Sequence, residues 1–269
     1  MIYSPLRYPG GKRTLTSYIA SKLNGRKVFI EPFCGGASVS LELLFTNKVD
    51  KIILNDFDTG IYSFWYAVLY DTKRLIDTIR AVPVTPEEWK RQKEILKKEV
   101  PVGEYDFDKG FATFYLNRTN RSGIIKGGMI GGVEQSGKYK IDARFNKEPL
   151  IARIEKIATM SSKIELYNMD AIELFKEHHW QNAFVYLDPP YFQKGSQVYT
   201  TYFTKEDHKN LRDGIAGSID PKYRWLLSYD DCREIHDLYA GYATSETCFH
   251  YSITKPVKAK ELIIEKDTD

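Results

Sequence analysis

The sequence predicts an α/β fold in which a largely parallel sheet, covered by helices on both faces, is interrupted by a smaller insert. Three observations carry this. Short apolar runs alternate with helical stretches from residue 28 to 70, and again from 163 to 264. Several of these runs end in a polar or glycine-bearing turn, the pattern of a strand handing over to a helix. Between about 71 and 150 the alternation stops, and the chain becomes helical and charged, then glycine-rich and basic.

Taken in order, residues 28–30 (VFI) are the first strand, closing on EPFCGG at 31–36, and an apolar helix continues through Val39, Leu41, Leu43, Leu44 and Phe45. Residues 51–54 (KIIL) are a second strand ending at Asn55-Asp56, with a helix over 61–69. From 71 to 99 the pattern is helical. Its KRQKEILKKE run at 90–99 reads chiefly as a solvated helix face. A short helix over 111–116 precedes the glycine-rich stretch 117–146. Alternation then returns: strand 163–167, helix 170–178, strand 183–187, a loop over 189–203, helix 204–217, strand 224–228, helix 231–239 and a last strand at 262–264. Residues 1–70 with 151–269 are therefore expected to form the sheet domain, and 71–150 the insert.

Composition narrows the field. Hydrophobic residues make up 42% of 269, enough for a sizeable core, and no long uncharged run or apolar leader is visible. Cys34, Cys232 and Cys248 are scattered and odd in number, which argues against a disulfide framework or a zinc cluster. A metal-free, non-membrane protein of the cytoplasm is the expectation. The net charge of +3 is too small to identify a nucleic-acid binder, so distribution must decide.

The most informative motif is Asp188-Pro189-Pro190-Tyr191, directly after the apolar strand. The prolines end the strand and fix the direction of a carbonyl. A carboxylate, a rigid carbonyl and an aromatic ring thus gather at the edge of an open α/β sheet where ligands bind. Such a set suits an exocyclic amine. The amine lone pair is delocalised into the ring, and two acceptors on its hydrogens, Asp188 and the Pro189 carbonyl, would localise it for attack on a methyl donor. Tyr191 would stack on a base swung out of the duplex. The plainer alternative is a strand-ending turn.

Glycines at the strand-to-helix turn, Gly35 and Gly36, let a cofactor approach the backbone. The third glycine of a dinucleotide fingerprint is missing, which disfavours a nicotinamide dehydrogenase. Asp56 ends the second strand and is placed to accept ribose hydroxyls. Asp170 comes after the third strand and is either a cofactor contact or a helix N-cap. Arg7-Tyr8-Pro9-Gly10-Gly11-Lys12 lacks the spacing of a nucleoside triphosphate loop.

RYPGGK, EPFCGG, LND and DPPY, in that order, resemble the Dam-like family of DNA adenine methyltransferases, the alpha group of amino-methyltransferases. LLSYDD at 226–231 and ELII at 261–264 resemble its later segments. The resemblance implies a Rossmann-like, seven-stranded methyltransferase sheet with S-adenosylmethionine lying across strands one, two and four. It further implies that Tyr8 and Lys12 flank the cofactor, that Phe33, Gly35 and Gly36 line it, that Asp56 holds its ribose and that Asp170 lies near its adenine. Asp188 would stand between cofactor and target amine. The expected reaction is direct methyl transfer to adenine N6 in double-stranded DNA, without a covalent enzyme intermediate. Cytosine N4 or RNA as acceptor, and a DNA-binding relative without catalysis, are the alternatives. A monomer suffices for one-base chemistry, and a dimer on DNA is compatible with it.

Residues 117–147 carry seven lysines and arginines against Glu134 and Asp142, a stretch suited to phosphates. In the family this region holds a target-recognising hairpin, which Asn117-Arg118 opens. The sequence departs from the best-known members after NRTNRSG, lacking the asparagine-glycine hairpin and its following arginine, so a GATC target does not carry over. Arg118, Arg121, Lys126 and Lys138 are the DNA-binding candidates, with Arg121 and Lys126 placed for guanine. Ile124 or Ile125 would wedge into the gap left by a flipped base. Tyr199, Tyr202 and Phe203 would close over that base or pack on the next helix.

Overall fold

The computed structural model describes residues 4–7, 15–193, 203–252 and 256–266. Seven strands form one sheet: β1 (Val28–Glu31), β2 (Lys51–Asn55), β3 (Ile164–Tyr167), β4 (Ala183–Leu187), β5 (Arg224–Asp230), β6 (Ala243–Ser252) and β7 (Pro256–Glu265), in the spatial order β3-β2-β1-β4-β5-β7-β6. Strands β1 to β5 are parallel. β7 runs antiparallel to both β5 and β6. The seven-stranded α/β sheet implied by the family resemblance is therefore present, and β6 is the strand that periodicity does not reveal.

The strands are apolar on both faces because both are covered. Phe29, Ile52, Leu54, Phe184, Tyr186 and Leu226 enter one core; Ile30, Ile53, Val185, Leu187, Trp225 and Leu227 enter the other. Helices α1 (Thr16–Lys22), α2 (Ser38–Phe45), α3 (Thr59–Tyr70), α4 (Thr72–Ala81) and α7 (Lys147–Ala158) contribute to the first core. Helix α8 (Ala171–Glu177), α9 (Lys205–Gly214) with the π-turn 215–219, and α10 (Arg233–Leu238) contribute to the second. Phe64 of α3 stacks on Phe114 at 5.4 Å, and Phe114 meets Phe145, so aromatic packing continues from the sheet layer into the insert.

Helix α5 (Pro86–Leu96) starts with Thr85 capping Glu88 and a proline in the first turn. Helix α6 (Phe107–Thr119) is longer at both ends than its apolar pattern indicates; Asp106 sets its start by accepting from Lys109 N at 2.8 Å. The expected hairpin after Asn117-Arg118 does not form. Residues 121–140 are a succession of turns, with a lone antiparallel bridge between Asn120 and Met129. The cause is local: Ser122, Gly123, Gly131, Gly132 and Gln135 all have positive φ, which breaks strand geometry repeatedly. No helix among the described residues is long and apolar enough to cross a membrane.

Candidate active site and DNA-facing surface

β1 pairs with β2 on one side and β4 on the other, so the strand order reverses at β1. The crevice at the carboxyl ends of these strands is where open α/β sheets take ligands. Three acidic tips converge there: Glu31 from β1, Asp56 after β2 and Asp188 after β4. Each raises the proton affinity of a neighbour. Burial, then proximity to Asp188 and Asp56, holds the Glu31 carboxyl up at about 8. Asp56 is held up at about 7, by burial and then by Asp58. Glu31 is only 5% exposed and accepts from Ser40 Oγ at 2.5 Å.

The turns that set these groups are braced from behind. Gly35 donates its N–H to Asp56 Oδ2 at 2.8 Å, and its carbonyl accepts from Trp65 Nε1 at 2.8 Å. Gly35 and Ala37 both adopt left-handed φ, near 42° and 47°, which folds the 31–37 segment back over the sheet. Asn55 is fully buried and clamps two loops: its Nδ2 donates to the carbonyls of Pro32 and Met169, and its Oδ1 accepts from Met169 N. Asn168 ties the backbone carbonyls of Asp56 and Phe57 in the same way.

Asp188 accepts a hydrogen bond from Ser228 Oγ at 3.1 Å, and Ser228 in turn meets Tyr186 Oη at 2.9 Å. Pro189 and Pro190 are buried. Tyr191 Oη donates to Glu261 Oε1 of β7 at 2.5 Å, which fixes the plane of its ring. Just beyond, Asp230 accepts from the backbone N–H groups of Phe192 and Gln193, both at 2.9 Å. Sequence reasoning does not single out Ser228, Asp230 and Glu261. Their signal lies in LLSYDD and ELII, segments that carry the resemblance without assigned roles.

Phe33 and Asp170 line one cavity of about 520 Å³ together with Ala171, Ile172 and Phe203. Asp170 also N-caps α8: Oδ1 accepts from Ile172 N at 2.8 Å and Glu173 N at 3.1 Å. The N-cap alternative is thus realised, and the side chain remains exposed beside the cavity. Phe203 packs edge-on to Phe33 at 5.9 Å and against His208 of α9 at 5.3 Å, the packing alternative. Tyr8, Gly10, Gly11, Lys12, Tyr199 and Tyr202 lie outside the described residues.

In the insert, Arg121, Lys126 and Lys138 are exposed and Ile124 is half-exposed, whereas Ile125 belongs to the core. Asn117 and Asn120 hold this loop. Asn117 Oδ1 accepts from Arg7 N and its Nδ2 donates to the carbonyls of Arg7 and Gly123, while Asn120 takes Trp89 Nε1 at 2.6 Å. Gly123 must be glycine: its φ is +79°, and a Cβ would sit 2.4 Å from the Arg7 carbonyl.

Arg118, expected on the DNA-facing surface, is 9% exposed, and its Nε donates to the Arg144 carbonyl at 2.7 Å. Burial, then Arg7, Arg153 and Arg144, lower its pKa to about 9. These four arginines form no ion pair with a carboxylate among the described residues. The residue types that face the loop are therefore cationic at a depth that sequence alone does not show.

Fold and acidic cluster together define a Rossmann-like α/β protein with its ligand edge at the switch point of the sheet. Residues 8–254 match the family described as D12 class N6 adenine-specific DNA methyltransferase, and the chain belongs to that family. It is 26% identical to the type II methyltransferase M.MjaIII of Methanocaldococcus jannaschii, over 75% of this chain and 73% of that protein. It is 24% identical to the DNA adenine methylase of Escherichia coli K12, over 84% and 80%, and 24% identical to M.CviBI of a Paramecium bursaria Chlorella virus, over 90% and 88%. The protein is an S-adenosylmethionine-dependent methyltransferase acting on adenine N6 of DNA.

The residues present suit that cofactor. Glu31 and Asp56 have no cationic partner among the described residues, and the cofactor brings both positive charge and ribose hydroxyl donors. When bound, it supplies an electrophilic methyl group on a sulfonium.

Proposed function

We propose that this chain is a site-specific adenine methyltransferase, of class EC 2.1.1.72, that works on a base turned out of the duplex. The observation that carries the reading is the Asp188–Tyr191 corner, held rigid at the carboxyl edge of β4 beside the acidic tips of β1 and β2. Asp188 and the Pro189 carbonyl accept the two amine hydrogens and localise the nitrogen lone pair as it attacks. Tyr191 offers its ring to the turned-out base, with its hydroxyl anchored to Glu261 so that the ring does not swing. Tyr8 and Lys12 are assigned to the cofactor's flanks by family resemblance, as are Phe33, Gly35 and Gly36 to its lining.

Ser228 is a positioning residue. It orients one oxygen of Asp188 and is itself oriented by Tyr186. Ser228→Ala is expected to lower kcat about 10-fold with little change in KM, as loss of a transition-state contact does. Ser228→Thr, which keeps the hydroxyl donor, should restore most of the rate. A Thr variant as slow as Ala would leave Ser228 with a packing role only.

Residues 71–150 are assigned to target recognition. Arg144 is exposed and Arg7 and Arg153 are half-buried, none of them ion-paired with a carboxylate among the described residues, which supports phosphate contact at this end of the insert; Arg118 is buried and lies beneath them. Arg121 and Lys126 are assigned to base edges and Ile124 to the gap left by the flipped base. Arg121→Ala should relax sequence choice while general DNA affinity falls less, a loss of roughly 1–3 kcal/mol at the contacted base pair. Equal loss on all duplex sequences in filter binding would reassign Arg121 to the backbone. The Asp188–Tyr191 corner and the acidic tips come from one chain, which supports a monomer in solution, and a dimer on DNA is compatible with it.

The direct test incubates the protein with labelled S-adenosylmethionine and unmethylated genomic DNA, then maps modified bases by single-molecule sequencing. N6-methyladenine in one sequence context is the expected result. Label on cytosine, or on RNA only, would overturn it.

A further inference from the structure

A second concave site lies at the opposite edge of the sheet from Asp188. Arg224 opens β5 and is in register with Phe184 of β4. Ala183 is in register with Val28, which places Arg26, two residues before β1, at the same edge. β7 ends here as well, since Glu265 pairs with Leu226, and it brings Glu265 and Lys266. Together with Lys22, Lys222 and Asp220 these residues enclose a cavity of about 360 Å³. Phe184, Tyr223 and Trp225 form its buried wall.

The charges in this cavity do not balance. Five cations face two carboxylates, and both carboxylates are engaged. Glu265 pairs with Lys22 at 2.6 Å; Asp220 accepts from Trp225 Nε1 at 2.9 Å and lies 3.7 Å from Lys266. The side chains of Arg26, Lys222 and Arg224 have no hydrogen-bond or ion-pair partner among the described residues. Arg26 and Arg224 are both half-buried and near enough that Arg224, after burial, lowers the Arg26 pKa. Two like charges held on either side of the start of β4, one before β1 and one on β5, repel each other unless an anion joins them.

We infer that this cavity is a binding site for a phosphomonoester dianion, gripped by the Arg26 and Arg224 guanidinium groups with Lys222 at its rim. Two guanidinium forks match the oxygens of a phosphate, and a local surplus of three positive charges favours a dianion over a carboxylate. The cavity falls within the volume range of small-molecule sites. DNA held at the catalytic edge does not account for it. Phe184 and Asp188 are four residues apart along an extended strand, roughly 13 Å, and a duplex over Asp188 lies on the far side of the sheet.

The test titrates the full-length protein with inorganic phosphate at constant ionic strength by calorimetry, and repeats it with Arg26→Gln and Arg224→Gln. Saturable binding that weakens at least 10-fold in each variant, with methyl transfer to DNA unchanged, is the expected result. No saturable binding by the unaltered protein, or equal binding by both variants, overturns the site. A short adenine-free duplex included in the titration separates sources. If it displaces phosphate competitively, the site belongs to a phosphodiester and the monoester assignment is wrong. Methyl transfer is read separately, so failure here leaves the enzymatic reading untouched.

Discussion

Asp188→Ala is expected to lower the rate of methyl transfer by 10³-fold or more, with a melting temperature close to that of the unaltered protein. Removing one preorganised hydrogen-bonding group that meets developing charge costs roughly 10²–10³ in kcat. Here the loss should be at the upper end, because Asp188 both orients the amine and balances the positive charge that grows on nitrogen. Nothing else among the described residues of the β4 corner replaces it. Ser228 is a donor to Asp188, Tyr191 is tied to Glu261, and the prolines contribute carbonyls only. The fold should tolerate the change, since Asp188 sits after the strand and not within its ladder. Asp188→Asn is the sharper variant: it keeps the shape and removes the charge. Single-turnover transfer of labelled methyl to an unmethylated duplex reads the chemical step. A rate within tenfold of the unaltered protein in either variant would remove Asp188 from the role assigned here.

Much of this site is legible in the sequence because it is built from strand ends. A buried parallel strand announces itself as an apolar run, and the residues after it must sit at the carboxyl edge; DPPY, LND and EPFCGG are all such endings. Periodicity fails where that logic does not hold. β6 (ATSETCFHYS) is an edge strand with mixed polarity, so no apolar run marks it. The family holds a hairpin in the region that Asn117-Arg118 opens, and this sequence departs from it after NRTNRSG. The positive-φ residues there instead turn the chain repeatedly, and no spacing rule predicts their sum. Depth is the other blind spot. Arg118 and Arg121 are three residues apart, yet the first is buried under the Arg144 carbonyl and the second faces solvent. Glu31 opens the EPFCGG segment with no role legible in it, because only the fold brings it within electrostatic reach of Asp56 and Asp188.

That acidic cluster leads to an effect of pH on cofactor binding. Without cofactor, Glu31 titrates near 8 and Asp56 near 7, both raised above their ordinary values of 4.5 and 3.8, with burial the largest cause in each. Cys34 lies in the same turn and its thiol is pushed well up by burial and then by Asp56 and Glu31, so the turn itself offers no compensating charge. A raised carboxyl pKa means that the folded protein holds protons which the unfolded chain has already released. The resulting stability is full below about 4 and is lost as pH rises through 7 and 8. A ligand that carries positive charge and donates hydroxyl hydrogens binds the ionised carboxylates best, so binding expels those protons. Affinity should therefore rise with pH, by up to about tenfold per unit for each proton released, the interacting carboxylates titrating as a unit. S-adenosylmethionine is expected to bind at least 10-fold more tightly at pH 8 than at pH 6. Calorimetry in buffers of differing ionisation enthalpy should record proton release near pH 7, and the melting shift produced by the cofactor should grow over the same range. Asp56→Asn should flatten the lower part of this profile and Glu31→Gln the upper part. If affinity is flat from pH 6 to 8, the cofactor does not draw on these carboxylates, and the acidic cluster serves the fold alone.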